Sequence, residues 1–168
     1  PRAKFFLGQL TQHFLLSREE GKDPLSMKGS YAGAMGYGQF IPSSYRSYAV
    51  DFDGDGVRDI WSNKTDAIGS VANYFAENGW RGQHGVVERV SLAAENPELT
   101  SLANIALKPT RTVAQWRELG VQVSAEQPAN RIATLMRMQQ PESAEYWLGF
   151  EDFYAITRYN HSRLYAMA

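Results

Sequence analysis

The sequence contains no cysteine, which excludes a disulfide scaffold and a thiol nucleophile. It leaves the compartment open, because many exported bacterial proteins also lack cysteine. No apolar run approaches the roughly 18–20 residues of a membrane-spanning helix. A dominant charge is missing too: 17 Lys and Arg stand against 18 Asp and Glu, a formal net charge of −1. The basic residues are scattered, and without a basic stripe to track phosphates nucleic acid is excluded as a partner. There is no internal repeat and no low-complexity tract. The Pro-Arg-Ala-Lys start carries neither an initiator Met nor a signal peptide, and Tyr165-Ala166-Met167-Ala168 reads as helix interior. Both ends are expected to be cut, with targeting information lost beyond them.

What is present suits one globular domain, or a core with a modest insertion. A chain of 168 residues buries roughly 68–70% of its unfolded surface, so cohesion alone requires no metal. Apolar residues make up 43% and charged residues 21%, an ordinary globular balance. Nine Tyr, eight Phe and four Trp suit a groove that stacks on flat, apolar ligand faces.

Residues 4–19 predict a helix, with Phe6, Leu7, Leu10 and Phe14 on a helical stripe and Gly21 and Pro24 beyond its end. Four glycines between Gly29 and Gly38 argue against regular helix and let backbone approach a ligand closely. Ser43 is the expected cap of a short helix toward Tyr48. Thr65 is the expected cap of a helix from Asp66 to about Glu77, its buried stripe being Ile68, Val71, Ala72 and Phe75. Segments 85–92, 131–138 and 144–150 read as extended, and Thr112–Leu119 as a short helix stopped by Gly120. The expected division is 1–80 as core, 81–148 as a small α+β insertion and 149–168 as a helical return to the core.

The sharpest motif is Asp51-Phe-Asp53-Gly-Asp55-Gly56-Val57-Arg-Asp59. Carboxylates at loop positions 1, 3 and 5 and Gly at position 6 match the calcium loop of an EF-hand. Ca²⁺ needs six to eight hard oxygens, and three carboxylates this close repel one another without a cation. Position 7 donates a backbone carbonyl, which Val57 supplies. Position 12 is Ser62 where a bidentate Glu is usual, so Asp66 is the expected closing carboxylate of a longer loop, 51–66. The expected cofactor is therefore structural Ca²⁺ on Asp51, Asp53, Asp55, the Val57 carbonyl and Asp66.

Gly33-Ala-Met-Gly36-Tyr37-Gly38-Gln39-Phe-Ile-Pro42 resembles the Gly-Gln-Phe-Met-Pro type signature of lytic transglycosylases. The acidic loop, Asp66-Ala-Ile-Gly-Ser-Val-Ala-Asn-Tyr74-Phe, Asn78-Gly-Trp80 and Thr157-Arg-Tyr159-Asn160-His-Ser162 follow in the order of the membrane-bound lytic transglycosylase B family and its soluble relatives. The resemblance spans the chain and is weakest over 85–145. It implies an α+β protein with a mainly helical, lysozyme-like core. It implies cleavage of the bond between N-acetylmuramic acid and N-acetylglucosamine in peptidoglycan, with 1,6-anhydro products. It implies a periplasmic protein, soluble or lipid-anchored, whose partners are glycan strands and other cell-wall enzymes. By the same resemblance Ser30 and Gln39 bond substrate amides or hydroxyls, Tyr74, Tyr159 and Tyr165 line the groove, and Asn160 is a polar partner.

The family's acid is a Glu followed by Thr and an aromatic–Gly pair, and no glutamate here has that context. Glu19, Glu20 and Glu77 sit at helix ends, Glu95, Glu98 and Glu126 in loops, and Glu142 and Glu145 beside a strand. Glu88, Glu118 and Glu151 fall in or next to regular elements. The catalytic Glu is therefore expected upstream of Pro1, and the alternative reading is a calcium-stabilised glycan-binding module without activity. His13, His84 and His161 lack metal spacing, and Met35 reads as packing.

Overall fold

The computed structural model describes residues 2–82, 85–94 and 96–168. His84 and Glu95, considered above, lie outside them. The chain divides between Glu77 and Asn78 into two units.

The first unit is helical: α1 (Arg2–Glu19), α2 (Pro42–Tyr48) and α3 (Lys64–Glu77). Polar side chains join α1 to α2. The Ser43 amide donates to Gln9 Oε1 at 3.0 Å, and the Arg46 guanidinium spans Gln12 and Glu19. Leu16 and Ser17 are the buried residues of α1. The Phe6, Leu7, Leu10 and Phe14 stripe is instead exposed, because α2 packs on the polar side. Caps differ from expectation as well. Ile41 precedes α2 with Pro42 in its first turn, where a missing amide costs nothing, so Ser43 is already inside the helix. Asn63 caps α3, its Oδ1 accepting the Thr65 and Asp66 amides. The buried face of α3 is Asp66, Ala67, Gly69, Ser70 and Tyr74, and Ile68 is exposed. The apolar stripe expected on α3 is rotated out of phase because its anchors are a carboxylate, a hydroxyl and a phenol.

The second unit is built on a five-stranded antiparallel sheet in the order β2-β4-β5-β1-β3. Its strands are β1 (Val87–Leu92), β2 (Arg111–Thr112), β3 (Val121–Gln122), β4 (Ile132–Gln139) and β5 (Ala144–Gly149). On one face α4 (Pro97–Leu102) and α5 (Val113–Glu118) bury Leu99, Val113 and Trp116 against Val90, Leu135 and Leu148. Asn96 caps α4, where the sequence predicts loop, and Thr112 with Gln115 forms a capping box on α5. Gly120, at φ +94°, follows α5 as expected.

α6 (Glu151–Tyr159) meets the sheet at Gly149, where a Cβ would lie 2.7 Å from the Phe153 ring and 3.1 Å from Met136 Cε. The helical return expected over 149–168 breaks at Asn160 and His161, and α7 (Arg163–Met167) restarts with Ser162 as its cap. Residues 149–168 belong to the unit of the sheet. No helix among the described residues is long and apolar enough to cross a membrane.

Candidate functional site

Two segments of the first unit hold most of the residues expected from the sequence to form the site. In the glycine-rich segment, Gly29 bridges to Met35 and Met35 to Phe40. Met35 and Phe40 are buried, and the turns at 30–34 and 36–39 carry the exposed Ser30, Tyr31, Tyr37 and Gln39. Gly36 turns at φ +63°, and a Cβ there would lie 2.4 Å from the Ile60 carbonyl oxygen. Only glycine meets both conditions. Ser30 and Gln39 are both exposed. Ser30 Oγ accepts the Ala34 amide at 3.1 Å, and Gln39, at φ 49°, donates from Nε2 to the Gly36 carbonyl at 2.8 Å. Its donor is thereby partly used, and Oε1 is left to accept.

The acidic loop is wound around its own amides. Asp51 accepts Gly54, Asp55 and Gly56 amides, and Asp55 accepts the Val57 amide at 2.8 Å. Asp66 is fully buried and accepts the Phe52 amide on one oxygen at 2.8 Å and the Asp59 amide on the other at 2.9 Å. The Asp59 amide does most to hold the Asp66 carboxyl below the usual range, against its burial, with the Phe52 and Asp53 amides adding to it. Burial pushes Asp59 up, but the Ser62 hydroxyl and amide and the Trp61 amide outweigh it and leave Asp59 lowered.

Asp51, Asp53 and Asp66 each place one carboxylate oxygen within 4.8 Å of the others. Oxygens that share a Ca²⁺ at its usual bond length stand about 3.3–5.2 Å apart, so this triad fits the ion. The structure thus gathers three of the five expected ligands. Asp55 is outside the triad, and Val57 is an exposed residue of the same loop. Asn63 was missed in the sequence. Its Nδ2 donates to Asp53 Oδ2 at 2.8 Å while its Oδ1 caps α3, and the Asn-x-x-Asp spacing before a helix was the available signal.

Loop and glycine-rich segment are tied together. The Tyr37 amide donates to the Ile60 carbonyl at 2.8 Å, and the Trp61 indole donates to the Lys28 carbonyl at 2.9 Å. Tyr45 donates its hydroxyl to the Arg58 carbonyl at 2.6 Å, and burial pushes that phenol far above its ordinary pKa. Holding the acidic loop therefore also holds the turns that present Ser30 and Gln39.

The expected groove tyrosines have different surroundings. Tyr74 is only 8% exposed, its ring 4.7 Å from Tyr48 and 5.9 Å from Phe40. Tyr159 ends α6 half-buried, while Asn160 is exposed and accepts the Ser162 amide at 3.0 Å. Tyr165 is exposed on α7. His13 and His161 each bond a backbone carbonyl, Pro24 and Thr157 respectively.

A family model described as a transglycosylase SLT domain matches residues 1–168. The membrane-bound lytic murein transglycosylase B of Escherichia coli K12 is 45% identical over 168 residues, 99% of this chain and 44% of that protein. The crystal structure of the soluble lytic transglycosylase SltB1 from Pseudomonas aeruginosa matches at a TM-score of 0.91 and 46% identity, over 99% of this chain and 55% of that one. The Escherichia coli lytic transglycosylase SLT35, solved in complex with calcium, matches at 0.83 and 44% identity over 99% and 51%. SltB3 from Pseudomonas aeruginosa, solved with NAG-anhNAM-pentapeptide, matches at 0.80 and 33% over 99% and 44%. The chain thus spans about half the length, or less, of the relatives it matches. It belongs to the transglycosylase SLT domain family.

Proposed function

We propose that this chain is the glycan-binding part of a lytic transglycosylase that cleaves peptidoglycan between N-acetylmuramic acid and N-acetylglucosamine. The observation that carries the reading is the exposed Ser30–Gln39 segment, pinned to an acidic loop, in a chain 45% identical to a murein transglycosylase. Its ligand is a peptide-bearing glycan like those solved with SltB3. On the first unit Ser30 and Gln39 bond sugar hydroxyls or amides, with the Tyr74 ring 5.9 Å from Phe40 in the core of that unit; on the second unit Tyr159, Asn160 and Tyr165 are glycan contacts in their own right. Peptidoglycan as ligand implies a periplasmic site, with the protein soluble or lipid-anchored.

Structural Ca²⁺ is held by Asp51, Asp53 and Asp66, with Asp55 and the Val57 carbonyl completing the EF-hand-like loop. That a related enzyme was solved with calcium supports this assignment. The insertion reading places the α+β elements of the second unit within a lysozyme-like fold.

The reaction needs one carboxyl group. As acid it protonates the glycosidic oxygen as that bond to C1 breaks; as base it takes the proton of the muramic C6 hydroxyl as the C6 oxygen bonds C1. The carboxyl has to stay protonated near neutral pH, which an apolar pocket achieves. No glutamate here is followed by Thr and an aromatic–Gly pair, and four are engaged by other groups. Glu19 is drawn below the usual range by its Arg46 hydrogen bond, Glu20 pairs with Arg58, Glu145 with Arg89, and Glu88 accepts the Ser124 amide. The acid is therefore assigned to a Glu outside residues 1–168. Mass spectrometry of purified glycan strands incubated with the 168-residue chain and with a form extended upstream tests this. Anhydro products from the extended form alone are expected. Cleavage by the 168-residue chain would make one of its own carboxylates catalytic, and binding without cleavage by either form would favour the binding-module alternative.

A further inference from the structure

A groove of about 1370 Å³ lies on the second unit, between α4 and the end of the sheet. Its origin is in the strand registers. The β1–β5 ladder runs from Val87↔Gly149 to Val90↔Tyr146 and stops. Beyond it Ser91 and Leu92 leave to pair with β3, while Ala144 and Glu145 stay on β4. The two central strands therefore splay, and the groove occupies the opening.

The walls offer two kinds of recognition. First, the Gln140 amide donates to the Ser143 carbonyl at 2.9 Å, closing the β4–β5 hairpin. Alternation along an antiparallel ladder then turns the N–H and C=O of Ala144 away from β4, toward the opening. Among the described residues no strand covers that edge. A guest backbone can pair there as an added strand. Second, Arg137 lines the groove and faces Tyr146 across the ladder. Its main chain is fixed by both polar atoms of the Asn104 side-chain amide, yet its guanidinium has no hydrogen bond or ion pair among the described residues. The other cation in the groove, Arg89, is already paired with Glu145 at 2.9 Å. A free guanidinium matches a carboxylate in a forked, charge-assisted pair. A sugar would instead want aromatic faces, and among the described residues Tyr146 is the only aromatic one lining the groove, with its hydroxyl 3.3 Å from Thr100 Oγ1.

We propose that this groove binds a short, extended peptide bearing free carboxylates, with its backbone on Ala144 and a carboxylate on Arg137. On the glycan-strand reading above, on which the identity of the natural ligand rests, the occupant is the peptide arm of peptidoglycan. This groove then reads the peptide while the Ser30–Gln39 segment reads sugar.

The test is titration of the isotope-labelled 168-residue chain, followed by amide chemical shifts, with three probes. These are alanyl-γ-glutamyl-lysine, the same peptide with its carboxylates amidated, and chitotetraose. The acidic peptide is expected to shift residues 89–92 and 137–146, and the amidated one to do so far more weakly. Arg137→Gln should weaken binding on the order of tenfold to a hundredfold, the range for a lost hydrogen bond to a charged group. Arg137→Lys should fall between, and the variants' own spectra report whether they are folded. No shift in these residues, equal binding of the amidated peptide, an unchanged affinity in folded Arg137→Gln, or chitotetraose acting on the groove would each overturn the proposal. Failure of chitotetraose to shift residues 30–39 counts against the glycan reading instead, so the two failures are distinguishable.

Discussion

Gly69 lies directly beneath Phe52: a Cβ built on it would stand 2.4 Å from Phe52 Cγ and 2.5 Å from Phe52 Cβ. Glycine inside a helix ordinarily costs about 0.5–1 kcal/mol relative to alanine. Here the sign reverses, because the added methyl would displace the loop residue that separates Asp51 from Asp53. Gly69→Ala is expected to lower stability by about 1–3 kcal/mol, the range for overpacking, and to weaken calcium binding. Adding Phe52→Ala should recover part of the loss. Chemical denaturation of the two single variants and the double variant measures the coupling, and additive effects would show that the contact is not what fixes glycine here.

Calcium should raise the melting temperature by several degrees over chelator, since a ligand at 100 times its dissociation constant adds about 2.7 kcal/mol. Asp66→Asn should abolish the difference, because it removes a carboxylate that is both a proposed ligand and an acceptor for two loop amides. Superimposable melts of the unsubstituted chain in the two buffers would rule out a metal at this triad.

Acid should destabilise the loop in a definite window. Asp59 and Asp66 both have depressed folded pKa values. Their contribution is present above the unfolded value of about 4 and is lost as pH falls through the lower folded values. In chelator, melting temperature should stay level from about pH 7 to 5 and drop below about 4, with a shallower drop in Asp66→Asn. A loss already complete at pH 5 would contradict the assignment.

Tyr74→Ala should cost about 3 kcal/mol, as for other large aromatic truncations, because its ring is packed against Tyr48 and Phe40. Tyr165→Ala, on an exposed ring, should stay within about 0.5 kcal/mol of the unsubstituted chain and weaken glycan binding. Denaturation and binding isotherms on the same preparations separate these outcomes, and the reverse pattern would exchange the two roles.

The acidic cluster was legible in part, because residue type and spacing are restricted together in such a loop: Asp51, Asp53 and the distant Asp66 converge, while Asp55, the third carboxylate of the motif, stays outside the triad. The β4–β5 hairpin and α5 were legible for a similar reason, since period-2 runs and a Thr cap with a Gly stop are local signals. Tyr74 was not. Its role as a core ring depends on the phase of α3, which Asp66 and Ser70 set through buried hydrogen bonds to residues 50, 52 and 59. A stripe counted from apolar residues cannot register such anchors. The break at Asn160 was hidden by the aromatic run around it, although Ser162 was a readable cap.

The splay of β1 from β5 also fixes when the second unit can form during synthesis. β4 and β5 meet through a short local turn, but Val87–Val90 pair along β5, which follows only after α4, β2, α5, β3 and β4 in the sequence. Loop closure over that span opposes pairing until the later strand exists, so this ladder is expected to form after the β4–β5 hairpin. A nascent chain arrested before Ala144 has only the two-residue β3 partnership for β1. Val90 and Leu92 then remain on an open strand edge, and that interval is when the unit is most exposed to aggregation.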